Sequence, residues 1–214
     1  MNHFRTLTVA LGLLALSSTQ VIAQPAPAAA VKVALTRPAG SADFPAALQV
    51  AGQTLQLNGK GTRYRTVLKV YDIGLYAGAK VGSLEQLLAL PGTKRFQLVT
   101  LRDLSGDSLG LAMVRGMQDN MPAAERSKLL AYMDRLSRIF ASEPEVRVGS
   151  VLLVEHTPGK GTTLWLNGVQ KGDVVPDPEY FSSVARIWLG PRPVDPMLKD
   201  ALLGQPVRRP ESGI

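Results

Sequence analysis

Asn58-Gly-Lys-Gly-Thr-Arg-Tyr-Arg-Thr-Val-Leu-Lys-Val-Tyr-Asp-Ile-Gly-Leu-Tyr76 is the segment that decides the fold of this chain. Asn58-Gly59 is a strong turn signal. From Arg63 to Tyr76 the run is rich in β-branched and aromatic residues, which predicts one long strand. Side chains alternate across a strand. Arg63, Arg65, Val67, Lys69, Tyr71, Ile73 and Leu75 therefore share one side, and Tyr64, Thr66, Leu68, Val70, Asp72, Gly74 and Tyr76 the other. Gly74 marks a bulge or a close backbone approach.

Outward from this segment, strands and helices come in adjacent groups. Residues 47–50 and 54–57 are short strand-like runs around Gly52. Residues 83–89 read as a short helix capped by Ser83 and ended by Pro91-Gly92. Residues 95–102 form the next strand. Ser105 or Asp107 then caps a helix running to about Asn120, and Met121-Pro122 breaks it. A second helix covers about 123–141, where Leu129, Leu130, Met133, Leu136 and Phe140 recur at helical spacing. Residues 151–157 and 162–166 make a hairpin around Pro158-Gly-Lys-Gly161, and Asn167-Gly168 turns again. Residues 179–189 are a helix with Phe181, Val184, Ile187 and Trp188 on its core face, ended by Gly190. Asp195-Pro196 opens a short last helix, by a cap followed by proline at the first helical position, and Gly204 closes it. The pattern is α+β: a mainly antiparallel sheet with a layer of helices on one face.

The ends read differently. His3 and Arg5 precede an apolar run over 7–16, and Val21-Ile22-Ala23 resembles a cleavage site before Gln24. That order is a secretory signal peptide; the apolar run is half the ~20 residues a spanning helix needs. The expected organisation is a signal peptide over 1–23, an Ala/Pro-rich leader over 24–43, one domain over 44–205 and a loose tail over 206–214. The expected location is the periplasm or the medium. Cleavage removes Arg5 and no acid, so the net charge goes from +7 to 7 − 1 = +6.

Composition excludes several chemistries. There is no cysteine, and His156 is the one histidine after residue 23. A cysteine- or histidine-rich metal site is excluded, and stability must come from an apolar core. No cofactor is expected. The basic excess is scattered, with Arg63, Arg65 and Lys69 on the long strand and Arg208-Arg209 in the tail. It implies a mild attraction to anionic surfaces, not a nucleic-acid-binding face. Gly159-Lys160-Gly161-Thr162 lacks phosphate-loop spacing and sits between strands, so it reads as a hairpin turn. Asp173 and Asp177 read as a solvated turn, and His156 as a hydrogen-bonded structural histidine. No Gly-x-Ser-x-Gly elbow is present.

Two segments carry a family resemblance. Gly61-Thr-Arg63 leads into a strand ending Ile73-Gly-Leu-Tyr76, and Ile187-Trp-Leu-Gly-Pro-Arg-Pro-Val-Asp-Pro-Met-Leu-Lys-Asp-Ala-Leu-Leu-Gly204 gives a helix, a glycine, a short break and a helix opening at Asp-Pro. Over about 45–205 the chain resembles chalcone isomerases, and above all their bacterial exported relatives. The resemblance implies an open-faced sandwich. It matches Arg63 to the family's active-site arginine, a permanent planar cation suited to steadying an enolate. It matches Tyr71, in Lys69-Val70-Tyr71, to the catalytic threonine. It matches Leu109 to the catalytic tyrosine and Gly116 to an asparagine, with Asn120 one turn on.

Two functions follow from the resemblance. One is a non-catalytic binder of an apolar, fatty-acid-like carboxylate in the sheet–helix cleft, as in plant relatives. Arg63, Lys69, Tyr71 and Asn120 would contact the ligand, and Val67, Ile73 and Leu75 would line the cleft. The other is an isomerase or intramolecular lyase on a chalcone-like enone, with Arg63 and Tyr71 catalytic. A scaffold domain without ligand is a third reading. On one straight strand Arg63 and Tyr71 stand ~26 Å apart, so they converge only if the chain turns between them.

Overall fold

Thr66 and Val67 break the predicted long strand in two. The computed structural model describes residues 42–206; the expectations placed on 1–23, on most of 24–43 and on 207–214 lie outside them. In chain order the elements are β1 (Ala47–Val50), β2 (Gln53–Arg65), β3 (Leu68–Ala77), α1 (Leu84–Ala89), β4 (Lys94–Thr100), β5 (Leu104–Ser105), α2 (Gly106–Asn120), α3 (Arg126–Ala141), β6 (Glu145–Val146), β7 (Val151–Thr157), β8 (Gly161–Leu166), β9 (Val169–Val175), α4 (Pro178–Leu189) and α5 (Pro196–Leu202). A single 3-10 turn, Ala123–Glu125, leads into α3. Seven strands form one sheet in the order β1-β2-β3-β4-β7-β8-β9, every neighbour antiparallel. β5 and β6 pair separately.

The sheet has two unlike faces. Tyr71, Ile73 and Leu75 of β3 point with Phe96 of β4, Val154 of β7 and Leu164 of β8 into the main core, against α2, α3 and α4. Trp188, Tyr180 and Phe181 of α4 and Phe140 of α3 are the largest buried contributions from the helices, with the Trp188 ring tilted against Phe96 at 4.9 Å. Each such apolar side chain contributes ~1.5–3 kcal/mol on burial, which is how a chain without disulfides holds this layer together. The opposite face carries a smaller cluster of Phe44, Val50, Leu55 and Tyr76. Tyr76 donates to the Pro45 carbonyl at 3.1 Å, so the segment before β1 covers that face. The close approach expected at Gly74 is the Phe44 ring, 2.7 Å from where a Cβ would stand.

Two turn expectations are corrected. Asn58-Gly59 does not reverse the chain; it lies inside β2, where the register with β3 slips between Leu57 and Gly59. The bulge turns Asn58 into a clamp. Its amide donates to the carbonyls of Val81 (3.0 Å) and Leu202 (2.7 Å), and its oxygen accepts from the Val81 N–H (2.7 Å). Downstream, Asn167-Gly168 forms the expected turn between β8 and β9, both residues at positive φ, and Asp173 lies in β9 rather than in a loop. Asp177 caps α4, accepting from the Glu179 N–H at 3.0 Å, from the Tyr132 hydroxyl at 2.7 Å and from Lys128 at 2.9 Å. It is a structural carboxylate, not a solvated turn residue.

Candidate functional site

The hairpin brings Arg63 and Tyr71 together. They are register partners across β2 and β3, so their Cβ atoms are neighbours on the helix-facing side. The turn that does this has Thr66 in the left-handed region, at φ 58°. From α5's cap, Asp195 Oδ2 approaches the Arg63 guanidinium at 3.5 Å. The other oxygen of Asp195 accepts from the N–H groups of Met197 and Leu198 at 3.1 and 3.2 Å. Arg63 has no other polar partner among the described residues, and a quarter of its side chain is exposed.

Tyr71 is buried beneath this ion pair. Its hydroxyl accepts from the Trp188 indole N–H at 2.9 Å. Burial pushes the phenol up to about 12, against the opposing Trp188 hydrogen bond and the charge of Arg63, while Asp195 adds to the rise. The phenol is therefore protonated at neutral pH. Its hydrogen has no acceptor among the described residues, so one donor remains next to the guanidinium. A cation and a neutral donor side by side suit a carboxylate, which accepts from both.

The other expected site residues fall elsewhere. Lys69 is exposed, two residues toward the hairpin tip, opposite Tyr64. Asn120 is buried at the end of α2. Its amide donates to the carbonyls of Gly116 (2.9 Å) and Arg192 (2.8 Å), and its oxygen accepts from the Arg192 N–H (2.8 Å). Its hydrogen bonds hold the α4–α5 connection. Val67 is 82% exposed at the tip and lines no cleft, whereas Ile73 and Leu75 are fully buried. The space where a cleft was expected is filled by Trp188, packed between Tyr71 and Phe96.

The two positions on α2 matched to the family's tyrosine and asparagine are apolar and packed. Leu109 is buried in α2. A Cβ on Gly116 would stand 2.8 Å from an Ile187 methyl, so no side chain fits there without repacking. His156 is structural as expected: Nδ1 is 3.1 Å from the Thr162 hydroxyl and the ring stacks on Phe181 at 5.1 Å. An open cleft of about 270 Å³ lies between α3 and β9, lined by Arg135, Arg138, Ile139, Ser142, Gly172 and Asp173, and shares no residue with the Arg63–Tyr71 pair. Sequence reasoning missed Asp195 and Trp188 as neighbours of that pair. Asp195 was legible as a cap and Trp188 as a core residue, but nothing local to either points at Arg63.

A profile of chalcone isomerase-like proteins matches residues 37–204. No curated protein matches this chain significantly. Among solved structures, the crystal structure of a fatty-acid binding protein from Arabidopsis thaliana superposes with a TM-score of 0.57 at 16% identity, covering 78% of this chain and 94% of that one. At that identity the likeness is one of fold.

Proposed function

The chain belongs to the chalcone isomerase-like family, and we propose that this member is an exported, non-catalytic binder of an apolar carboxylate. The head group meets Arg63 and the Tyr71 hydroxyl, and the alkyl chain enters between sheet and helices where Trp188 now sits. The observation that carries this reading is the cross-strand pairing of a guanidinium, held by one 3.5 Å contact, with a phenol that has a donor to spare. The similar plant structure, described as a fatty-acid binding protein, supports the same ligand class. Apolar Leu109 and Gly116 at the matched catalytic positions favour binding over turnover.

Admitting a chain requires moving Trp188. Vacating that much core costs ~3–5 kcal/mol if nothing refills it, and each buried methylene returns ~0.8 kcal/mol. Binding should therefore be negligible for short carboxylates and rise steeply beyond about six methylenes. Titration calorimetry across a chain-length series tests this, with Arg63→Ala expected to weaken binding by ~1.5–3 kcal/mol and Arg63→Lys to recover part of it. In a Trp165→Phe background the Trp188 fluorescence should change on binding. Affinity that is absent, or indifferent to both chain length and Arg63, would sink the proposal.

A further inference from the structure

One end of the large sheet is built unlike the rest of the surface. The C-terminal ends of β2, β4 and β8 meet the N-terminal ends of β3, β7 and β9 there, as the pairs Arg65–Leu68, Val99–Val151 and Leu166–Val169 require. Backbone and side-chain hydrogen bonds stitch the connecting loops into one rim: Leu101 N–H to Val70 (2.9 Å), Gly149 N–H to Thr100 (2.8 Å), Val148 N–H to the Asp103 carboxylate (2.7 Å) and Val151 N–H to the Asn167 amide oxygen (2.9 Å). On this rim Tyr64, Val67, Leu68, Val148 and Val169 are large apolar side chains left in water. Between them stand exposed Arg65, Lys69, Arg102 and Arg147. Two acids share the rim, Asp103, which accepts from the Val148 N–H, and Glu145, paired with Arg147 at 3.1 Å, so Arg65, Lys69 and Arg102 are its unpaired cations among the described residues. The basic residues that look scattered along the sequence are gathered by the hairpin and its neighbouring loops.

We propose that this rim is a docking surface for anionic lipid bilayers. Val67 and Val148 project from loops, and Tyr64, Leu68 and Val169 stand at the strand ends beside them. Thr66, left-handed although β-branched, turns Val67 outward to 82% exposure. Short apolar tips ringed by cations suit an interface in which the tips enter the headgroup–acyl boundary and Lys or Arg meets the phosphates. The net charge of +6 expected after cleavage adds long-range attraction to the same surface. No helix among the described residues is long and apolar enough to cross a membrane, so the contact is peripheral. It stands independently of ligand binding at Arg63, although Arg63 lies two residues from the end of β2 and would open toward the docked face.

The absence of cysteine makes the test site-specific in the full chain. Val67→Cys and, on the outer surface of α3, Leu130→Cys are each labelled with an environment-sensitive fluorophore and titrated, without fatty acid, with vesicles. One set is phosphatidylglycerol with phosphatidylcholine, the other phosphatidylcholine alone. The label at 67 should shift to the blue with the anionic vesicles and much less with the neutral ones, while the label at 130 stays in water. Arg65→Glu with Lys69→Glu should weaken the partition by at least about tenfold, since each cation near an anionic surface is worth about 1 kcal/mol. The shift should fade with salt. An unchanged label at 67, an equal shift at 130, or a response that survives the charge reversal overturns the proposal. A response to polyglutamate but not to vesicles also overturns it, and would assign the rim to an acidic protein surface.

Discussion

Asp195 uses its two carboxylate oxygens for different ends, one capping α5 and one facing Arg63. A bound carboxylate would compete with it for the guanidinium. Asparagine caps helices as well as aspartate does, so Asp195→Asn keeps α5 and removes the competing charge. Fatty-acid affinity should rise by up to ~1 kcal/mol, the scale of a partly exposed ion pair, with little loss of stability. Calorimetry of the variant beside the parent decides it; weaker binding would mean that the guanidinium is not the head-group site. Arg63 and Tyr71 were singled out in the sequence by the resemblance, through its Gly-x-Arg turn and its strand triplet. Their contact was not. Thr66-Val67 carries no glycine, proline or asparagine to signal a reversal, and the β propensity of the flanking residues runs straight through it. Lys69 and Asn120 were misplaced because strand phase and helix phase give a direction but not the depth of the neighbouring layer.

The packing of α5 on β2 is the element-scale counterpart of that site, because α5 carries Asp195 to Arg63. Gly59 permits the packing: a Cβ there would stand 2.1 Å from the Ala201 carbonyl oxygen, a backbone atom that cannot swing aside. Gly59→Ala should therefore push α5 off the bulge, costing more than ~2 kcal/mol in denaturant unfolding and lowering fatty-acid affinity with it. Gly52→Ala is the control. Its φ of +77° makes alanine strained by about 1–2 kcal/mol, but no atom lies within 4 Å of the new Cβ, so binding should be spared. Equal loss of binding in both variants would break the link between α5 and the site. Helices were the most legible elements because their caps are written locally: Ser83, Ser105 and Asp195 each accept the expected backbone N–H. Asn58-Gly59 misled for a related reason. The pair that favours a hairpin turn also suits a bulge, where glycine admits a close neighbour, and which of the two forms depends on α5, some 140 residues away.

Across the whole molecule, the antiparallel sheet and the helix layer follow from the order of elements, whereas the pairing of remote strands places groups that no local pattern connects. His156 and Lys94 are such a case. They are register partners on β7 and β4, with Thr162 of β8 hydrogen-bonded to the imidazole and Phe181 of α4 stacked on it. Burial first, and the Lys94 charge second, hold the His156 pKa below its ordinary value of 6.5. The lysine's own pKa is also lowered by burial. An unfolded chain takes up the imidazole proton as the pH falls through about 6.5, and the folded chain does so only at lower pH. The unfolded state then binds more protons, and stability drops with falling pH. The contribution is therefore intact above about pH 6.5, declines below it, and levels off once the folded imidazole is itself protonated. Most carboxylates titrate below that window, so a comparison between pH 7.5 and 5.5 isolates the histidine. His156→Gln retains a polar partner for Thr162 and cannot take up a proton. Urea midpoints should fall between the two pH values in the parent and stay nearly level in the variant. A variant that loses as much stability as the parent over that interval would show that the acid sensitivity lies elsewhere in the core.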